Sequence, residues 1–279
     1  MSDSMFTGYD IANIEQDKEL LRASEESFSF NAGDVDPNVE VDPRPYLKME
    51  MQGTMSSCCG HAGSSLMEML WGLQAGSFAE VQQLSRYWCY RKSQEYWTGP
   101  NHNQDNGTTI DSVLRAMKAV GCPLESTVPY PRAYGPKLPN SSAVFAEASL
   151  RRIQSHAMAE SWEQTTSWIR GIGGVDFGCI WTRAMANFRG LVWTESTVRE
   201  DGSRSGHSFA GVGVVKHDGE DHIVGANSHS EAYGTRGFFL ISRRAYEYLL
   251  GRRYSAIALV SDLSGVERKP RRLKTFEMG

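Results

Sequence analysis

MQGTMSSCCGHAGSSLMEMLWGL, residues Met51 to Leu73, sets Gln52 six positions ahead of Cys58 and opens a run of apolar residues at helical spacing directly after that cysteine. A thiol at a helix N-terminus meets the positive end of the macrodipole and unpaired backbone N–H groups, so its pKa falls and a thiolate becomes available near neutral pH. Gln52 carries a side-chain amide that can donate to a developing oxyanion. A nucleophile of this kind still needs a base and a group that orients the base. Both residue types stand late in the chain, His207 within SGHSFAGVGVV (Ser205 to Val215) and Asn227 within GANSHSEAYGTRGFF (Gly225 to Phe239).

With these three stretches in hand, the chain resembles the papain-like cysteine peptidases. Gln52, Gly53 and Cys58 match that family's Gln-Gly-x4-Cys motif; Gly206 and His207 match its histidine motif, which begins a glycine-bearing strand. Asn227 and Ser228, followed by Tyr233, Gly234, Gly237, Phe238 and Phe239, match its asparagine motif. The resemblance runs over about residues 41 to 262, from the entry segment VDPRPYL onward. It implies an α+β fold of two lobes: a helical N-terminal lobe with the nucleophile on a central helix, an antiparallel β-sheet or barrel as C-terminal lobe, and the active-site cleft between. The expected division is an N-terminal arm over residues 1–40, a peptidase domain over 41–262 with lobes at about 41–150 and 151–262, and a tail over 263–279.

The implied chemistry is hydrolysis of peptide bonds through a thioester. His207 is expected to take the Cys58 proton and return it to the leaving amine, Asn227 to hold the far imidazole nitrogen, and Gln52 with the Cys58 N–H to receive the oxyanion. Gly107, Thr108 and Gly206 are the expected substrate-binding positions. Asn106, Gly107 and Thr108 stand where the family has Asn-Gly-Gly, and Thr108 narrows that edge. Two departures stand out. Cys59 occupies the family's Trp position and is expected to be wall or core, since one step along a helix turns it about 100° from the line of Cys58. His229 replaces the Trp that shields the histidine–asparagine hydrogen bond, a role for which Tyr233 is the substitute in view.

Composition bounds the rest. The chain has 279 residues, 40% of them hydrophobic, enough for a sizeable core, and its net charge of −4 argues against a general nucleic-acid binder. No apolar run reaches about 18 residues and the N-terminus lacks the pattern of a secretory signal, so no membrane partner is expected. The cysteines Cys58, Cys59, Cys89, Cys122 and Cys179 are odd in number and without paired spacing, and Met55 stands where secreted relatives carry a half-cystine. These features point to a cytoplasmic or virion-associated protein of the prokaryotic or phage branch. The histidines and cysteines form no metal-ligand pattern, so neither metal nor other cofactor is expected. The partner is a protein or peptide substrate, with membership in a larger assembly as an open addition.

Residues 1–40 are polar and acidic, readable as a surface arm or as a short inhibitory arm lying in the cleft. Helices are expected from Ser57, across FAEVQQLSRYWCYRKSQEYW and after Thr109 up to Gly121; strands are expected at VDFGCIWT, HSFAGVGVV, HIVGANS, GFFLIS and SAIALV. Lys269, Arg271 and Arg272 suit a solvated tail. Two further readings stay open: an amidohydrolase of peptidoglycan or isopeptide bonds with the same triad, and an inactive structural or inhibitory protein on the same fold.

Overall fold

The computed structural model describes residues 8–23, 35–97 and 104–267. The basic tail around Lys269, Arg271 and Arg272 lies outside the described residues. The helices are α1 (Ile14–Ala23), α2 (Cys58–Ala75), α3 (Arg86–Tyr96), α4 (Ile110–Val120), α5 (Ser142–Ser149), α6 (Trp162–Gly171), α7 (Arg183–Ala186), α8 (Glu195–Val198) and α9 (Arg243–Leu250). The strands are β1 (Arg152–Ile153), β2 (His156–Met158), β3 (Val175–Ile180), β4 (Val192–Trp193), β5 (Gly206–His217), β6 (Glu220–Ala226), β7 (Phe238–Ile241), β8 (Ser255–Val260) and β9 (Leu263–Ser264). Helices α2, α3 and α4 build one lobe and a seven-stranded sheet in the order β2-β8-β3-β5-β6-β7-β4 builds the other, which is the expected α+β class. Among the described residues, no helix is long and apolar enough to cross a membrane.

The sequence dictates α2 as a helix buried almost all round, and it lies at the seam, packed on α3, α4 and β5. Its glycines make that possible. A Cβ at Gly60 would come within 2.8 Å of the Tyr90 backbone, so α3 approaches at a distance only glycine permits. Gly76, at φ 69°, then stops the helix in the left-handed region. The Thr109 hydroxyl accepts the Ser112 N–H at the start of α4, and Gly121, at φ 74°, ends it.

One helix start is corrected, and two details are added. The stretch FAEVQQLSRYWCYRKSQEYW becomes helical only at Arg86, because the Ser85 hydroxyl caps Trp88 N–H at 3.0 Å while Leu84 bridges to Leu124. The arm is not wholly irregular: Asp10 accepts Ala12 N–H, and α1 follows, burying Ile14, Asp17 and Leu21. The sheet is antiparallel except at one edge, where β4 runs parallel to β7, and its strand order ends on β2 and β4.

A buried ion pair crosses the helical lobe. Glu68 on α2 and Arg86 on α3 meet at 3.1 Å, each almost without exposure, and Glu68 also accepts Leu84 N–H at 2.8 Å. Burial pushes the Glu68 carboxyl above its ordinary pKa although Arg86 pulls it down. Removing one partner strands the other, so Glu68→Ala should cost about 3–5 kcal/mol of stability, read as a lowered urea midpoint with unchanged m-value.

Candidate active site

Cys58, the first residue of α2, has no exposed surface, and its Sγ accepts the backbone N–H of Ser208 at 3.4 Å and of Gly8 at 3.2 Å. Burial raises a thiol's pKa, but here the Cys59 S–H, the charge of His207 and the Ser208 N–H together outweigh it, holding Cys58 well below the ordinary thiol range. A lowered thiol pKa favours the thiolate, the form that acts as a nucleophile.

His207 stands on β5, and its Nε2 lies 2.8 Å from Asn227 Oδ1. Ser228 N–H also donates to that Oδ1 at 2.8 Å, which identifies it as the oxygen and makes His207 Nε2 the donor to it. The same ring hydrogen-bonds the Cys58 thiol, and that bond is one of the causes that lower the thiol's pKa.

Gln52 is buried and pinned on three sides. Its Oε1 accepts Ser228 Oγ–H at 2.7 Å, its Nε2 donates to Met55 O at 2.8 Å, and its backbone N–H donates to Ser228 O at 2.8 Å. Met55 O thus takes one hydrogen of the Gln52 amide NH₂. Gln52, Cys58, His207 and Asn227 are thus brought to one place at the lobe seam.

Gly107, Thr108 and Gly206 gather on the opposite side of Cys58, where they meet the chain's own arm. Thr108 N–H donates to Gly8 O at 2.8 Å, Asp10 N–H to Thr108 O at 3.0 Å, and Tyr9 N–H to Gly206 O at 3.3 Å. Tyr9 pairs with Thr108 as a parallel bridge. Its buried ring lies against Gly178 and Ile110; a Cβ on Gly178 would fall 2.5 Å from the Tyr9 Cζ. The phenol donates to Asp17 at 3.0 Å, and Asp17 accepts Asp111 N–H at 2.8 Å.

Cys59 sits in the wall, its Sγ 3.5 Å from Thr108 O, and burial together with the neighbouring thiolate raises its pKa. The ring that lies on His207 is Trp181, with centroids 4.3 Å apart; His229 lies equally near, and Tyr233 lies behind Trp181 at 6.0 Å. Of Trp181 and Tyr233, Trp181 is the one whose ring contacts His207. Nothing in its sequence neighbourhood relates it to His207; only the pairing of β3 with β5 brings them together. Asp176 was likewise not foreseen. It accepts Ser208 Oγ–H at 2.8 Å, and burial with the nearby Cys58 thiolate raises its pKa well above the carboxylate range. Both influences disfavour a second negative charge beneath the sulfur. Among the described residues no group of three or more His, Cys, Asp or Glu is placed to hold a metal ion.

Comparison with known proteins agrees with this architecture. Xylellain, a cysteine protease from Xylella fastidiosa, superposes with a TM-score of 0.68 at 18% identity, over 92% of this chain and 96% of that one. Digestive procathepsin L 3 of Tenebrio molitor larval midgut gives 0.67 at 18%, over 89% and 79%. Procathepsin B S9 from Trypanosoma congolense gives 0.64 at 15%, over 92% and 87%. These likenesses show the papain-like two-lobed fold. A search of curated protein sequences found no match. The model of the papain family of cysteine proteases matches residues 40–257. The chain belongs to that family and is a cysteine-type peptidase.

Proposed function

We propose that Cys58, His207 and Asn227 form the catalytic triad of this peptidase, with Gln52 and the Cys58 N–H as the oxyanion hole, and that the arm around Gly8 and Tyr9 keeps the enzyme latent. The observation that carries the first part is the buried Cys58 thiol, depressed in pKa beside a histidine whose far nitrogen is held by Asn227 at 2.8 Å. In the reaction the Cys58 thiolate attacks the amide carbonyl of an extended peptide lying along Thr108. Negative charge moves to the carbonyl oxygen, where Gln52 donates, and the His207 imidazolium protonates the leaving amine. Water activated by His207 then hydrolyses the thioester. Asn227 keeps the imidazole in the required tautomer throughout, and Trp181 keeps water from that hydrogen bond.

Iodoacetamide labelling read by intact mass tests the triad. With the arm displaced in Gly8→Ala, Cys58 should label fast at pH values well below the ordinary thiol pKa of about 8.5, losing reactivity only as pH falls through its depressed value. In His207→Ala the onset should move to alkaline pH and turnover should fall by at least about 10³-fold. Labelling of Cys58 no faster than Cys89, with no dependence on His207, would overturn the assignment.

Latency is supported by the arm's place on both Cys58 and the Thr108 edge. A Cβ on Gly8 would fall 1.8 Å from Ser56 O, so Gly8→Ala should displace the arm and raise both labelling and peptide hydrolysis. Tyr9→Ala removes a buried ring, worth roughly 3 kcal/mol, and should act the same way. Equal rates in wild type and both variants would refute latency.

The arm also carries a proton dependence. Burial raises Asp17 from 3.8 to about 7 in the docked state. Docking therefore favours the protonated acid. It is strongest below about pH 4 and weakens as pH rises to about 7, above which the effect is complete. Wild-type activity relative to Gly8→Ala should climb across that window, and Asp17→Asn should flatten the climb.

A further inference from the structure

Tyr130 lies on the helical lobe, seventy-eight residues from Gln52 in sequence, and both partners of its hydroxyl lie at the ends of the loop that leads into Cys58. The phenol oxygen is 2.8 Å from Gln52 O and 2.6 Å from Ser57 Oγ. A carbonyl can only accept, so Tyr130 donates to Gln52 O, and Ser57 must then donate to Tyr130. The Ser57 carbonyl lies 3.1 Å from His61 Nδ1, and its Oγ lies 3.3 Å from the same nitrogen. His61 is buried, and burial with the nearby Arg86 charge lowers its pKa to about 3, so the ring is neutral. Two donors run one way across the loop: Ser57 to Tyr130, and Tyr130 to Gln52.

We infer that the Tyr130 hydroxyl is a positioning residue for the oxyanion hole, clamping the Gln52 and Ser57 ends of the loop at the separation that aims the Gln52 amide and the Cys58 N–H at one point. The inference rests on the reading of Gln52 and Cys58 given above. The argument is geometric. Residues 52–57 form an irregular turn in which Gln52 Nε2 donates to Met55 O and Gly53 takes a φ of 59°, so local bonds set the turn's shape but do not tie its first residue to its last. Tyr130 supplies that tie. Its ring is fixed in turn by edge contact with His61 at 4.9 Å and by Glu125, which accepts its backbone N–H at 2.5 Å. An oxyanion hole works because its donors need no reorganisation when charge appears. A loop free to breathe by a fraction of an ångström loses that advantage without losing the thiolate, whose stabilisation comes from His207, Cys59 and Ser208.

Tyr130→Phe removes one oxygen and keeps the ring; Ser57→Ala removes the other link. Each should be assayed in the full chain, in wild-type and Gly8→Ala backgrounds, by three readouts: Cys58 alkylation by iodoacetamide, which develops no oxyanion; hydrolysis of a peptidyl coumarin amide cleaved by the wild type; and inhibition by a dipeptidyl aldehyde, whose tetrahedral adduct carries an oxygen in the hole. The expected result is alkylation within about twofold of wild type, kcat lower by about tenfold or more with KM within twofold, and an aldehyde Ki raised by a similar factor, as befits partial loss of a group worth 10²–10³ in kcat. The double variant should be no worse than the poorer single one. Unchanged kcat and Ki in both variants would overturn the proposal. So would loss of alkylation in parallel with kcat, which marks a general loosening of the lobe. If Tyr130→Phe does not fold, Ser57→Ala decides alone. A Gly8→Ala protein that neither labels at Cys58 nor cleaves amides would sink the reading of Cys58, and the proposal with it.

Discussion

A negative sulfur without exposed surface is tolerable only if the protein surrounds it with partners, and much of this structure is arranged around that requirement. Cys58 has no access to water to solvate its charge. Its stabilisation comes from the Cys59 S–H and the His207 ring, with the N–H of Ser208 supplied by the same strand. Since α2 carries the sulfur and β5 carries His207 and Ser208, the charge exists only while helix and strand remain packed. The glycines that let α3 close on α2, and the ion pair between Glu68 and Arg86 that braces them, serve the site from a distance. Asp176 fits the same logic: burial and the nearby Cys58 thiolate both raise its pKa, against a second negative charge beneath the sulfur.

The second organising element is Ser228. Its N–H sets the Asn227 oxygen, its hydroxyl sets the Gln52 oxygen, and its carbonyl takes the Gln52 N–H. One small residue thus orients the amide that holds the histidine and the amide proposed to receive an oxyanion. The two are oriented together, so a shift of one lobe against the other disturbs both.

How much of this could be read from the chain follows from where the signals lie. Gln52, Cys58, His207 and Asn227 sit in short stretches with unusual residue types at fixed spacing, and the α+β class follows from helical periodicity early and β-branched runs late. Trp181 was not legible, because a Trp at a strand end has no spacing relation to a histidine that becomes its neighbour only through strand pairing. Tyr130 and His61 were hidden for the same reason. The arm's helix IEQDKELLRA offers few apolar positions, and what orders it is tertiary: Tyr9 against Gly178, and Asp17 under α4. The helix over-extended toward Phe78 shows the converse, since a serine cap and a bridge to Leu124 override a pattern that suits a longer helix.

Because Gly8 and Cys58 belong to one chain, their meeting is a unimolecular event, and dilution leaves the fraction of covered molecules unchanged. A peptide from outside competes as a second-order process and finds an open cleft only in that remaining fraction. Its apparent affinity is lowered by the same factor. Occupancy of this cleft is therefore a property of the folded chain and its protons, insensitive to how much of the protein is present, and substrate concentration is the variable that can shift it.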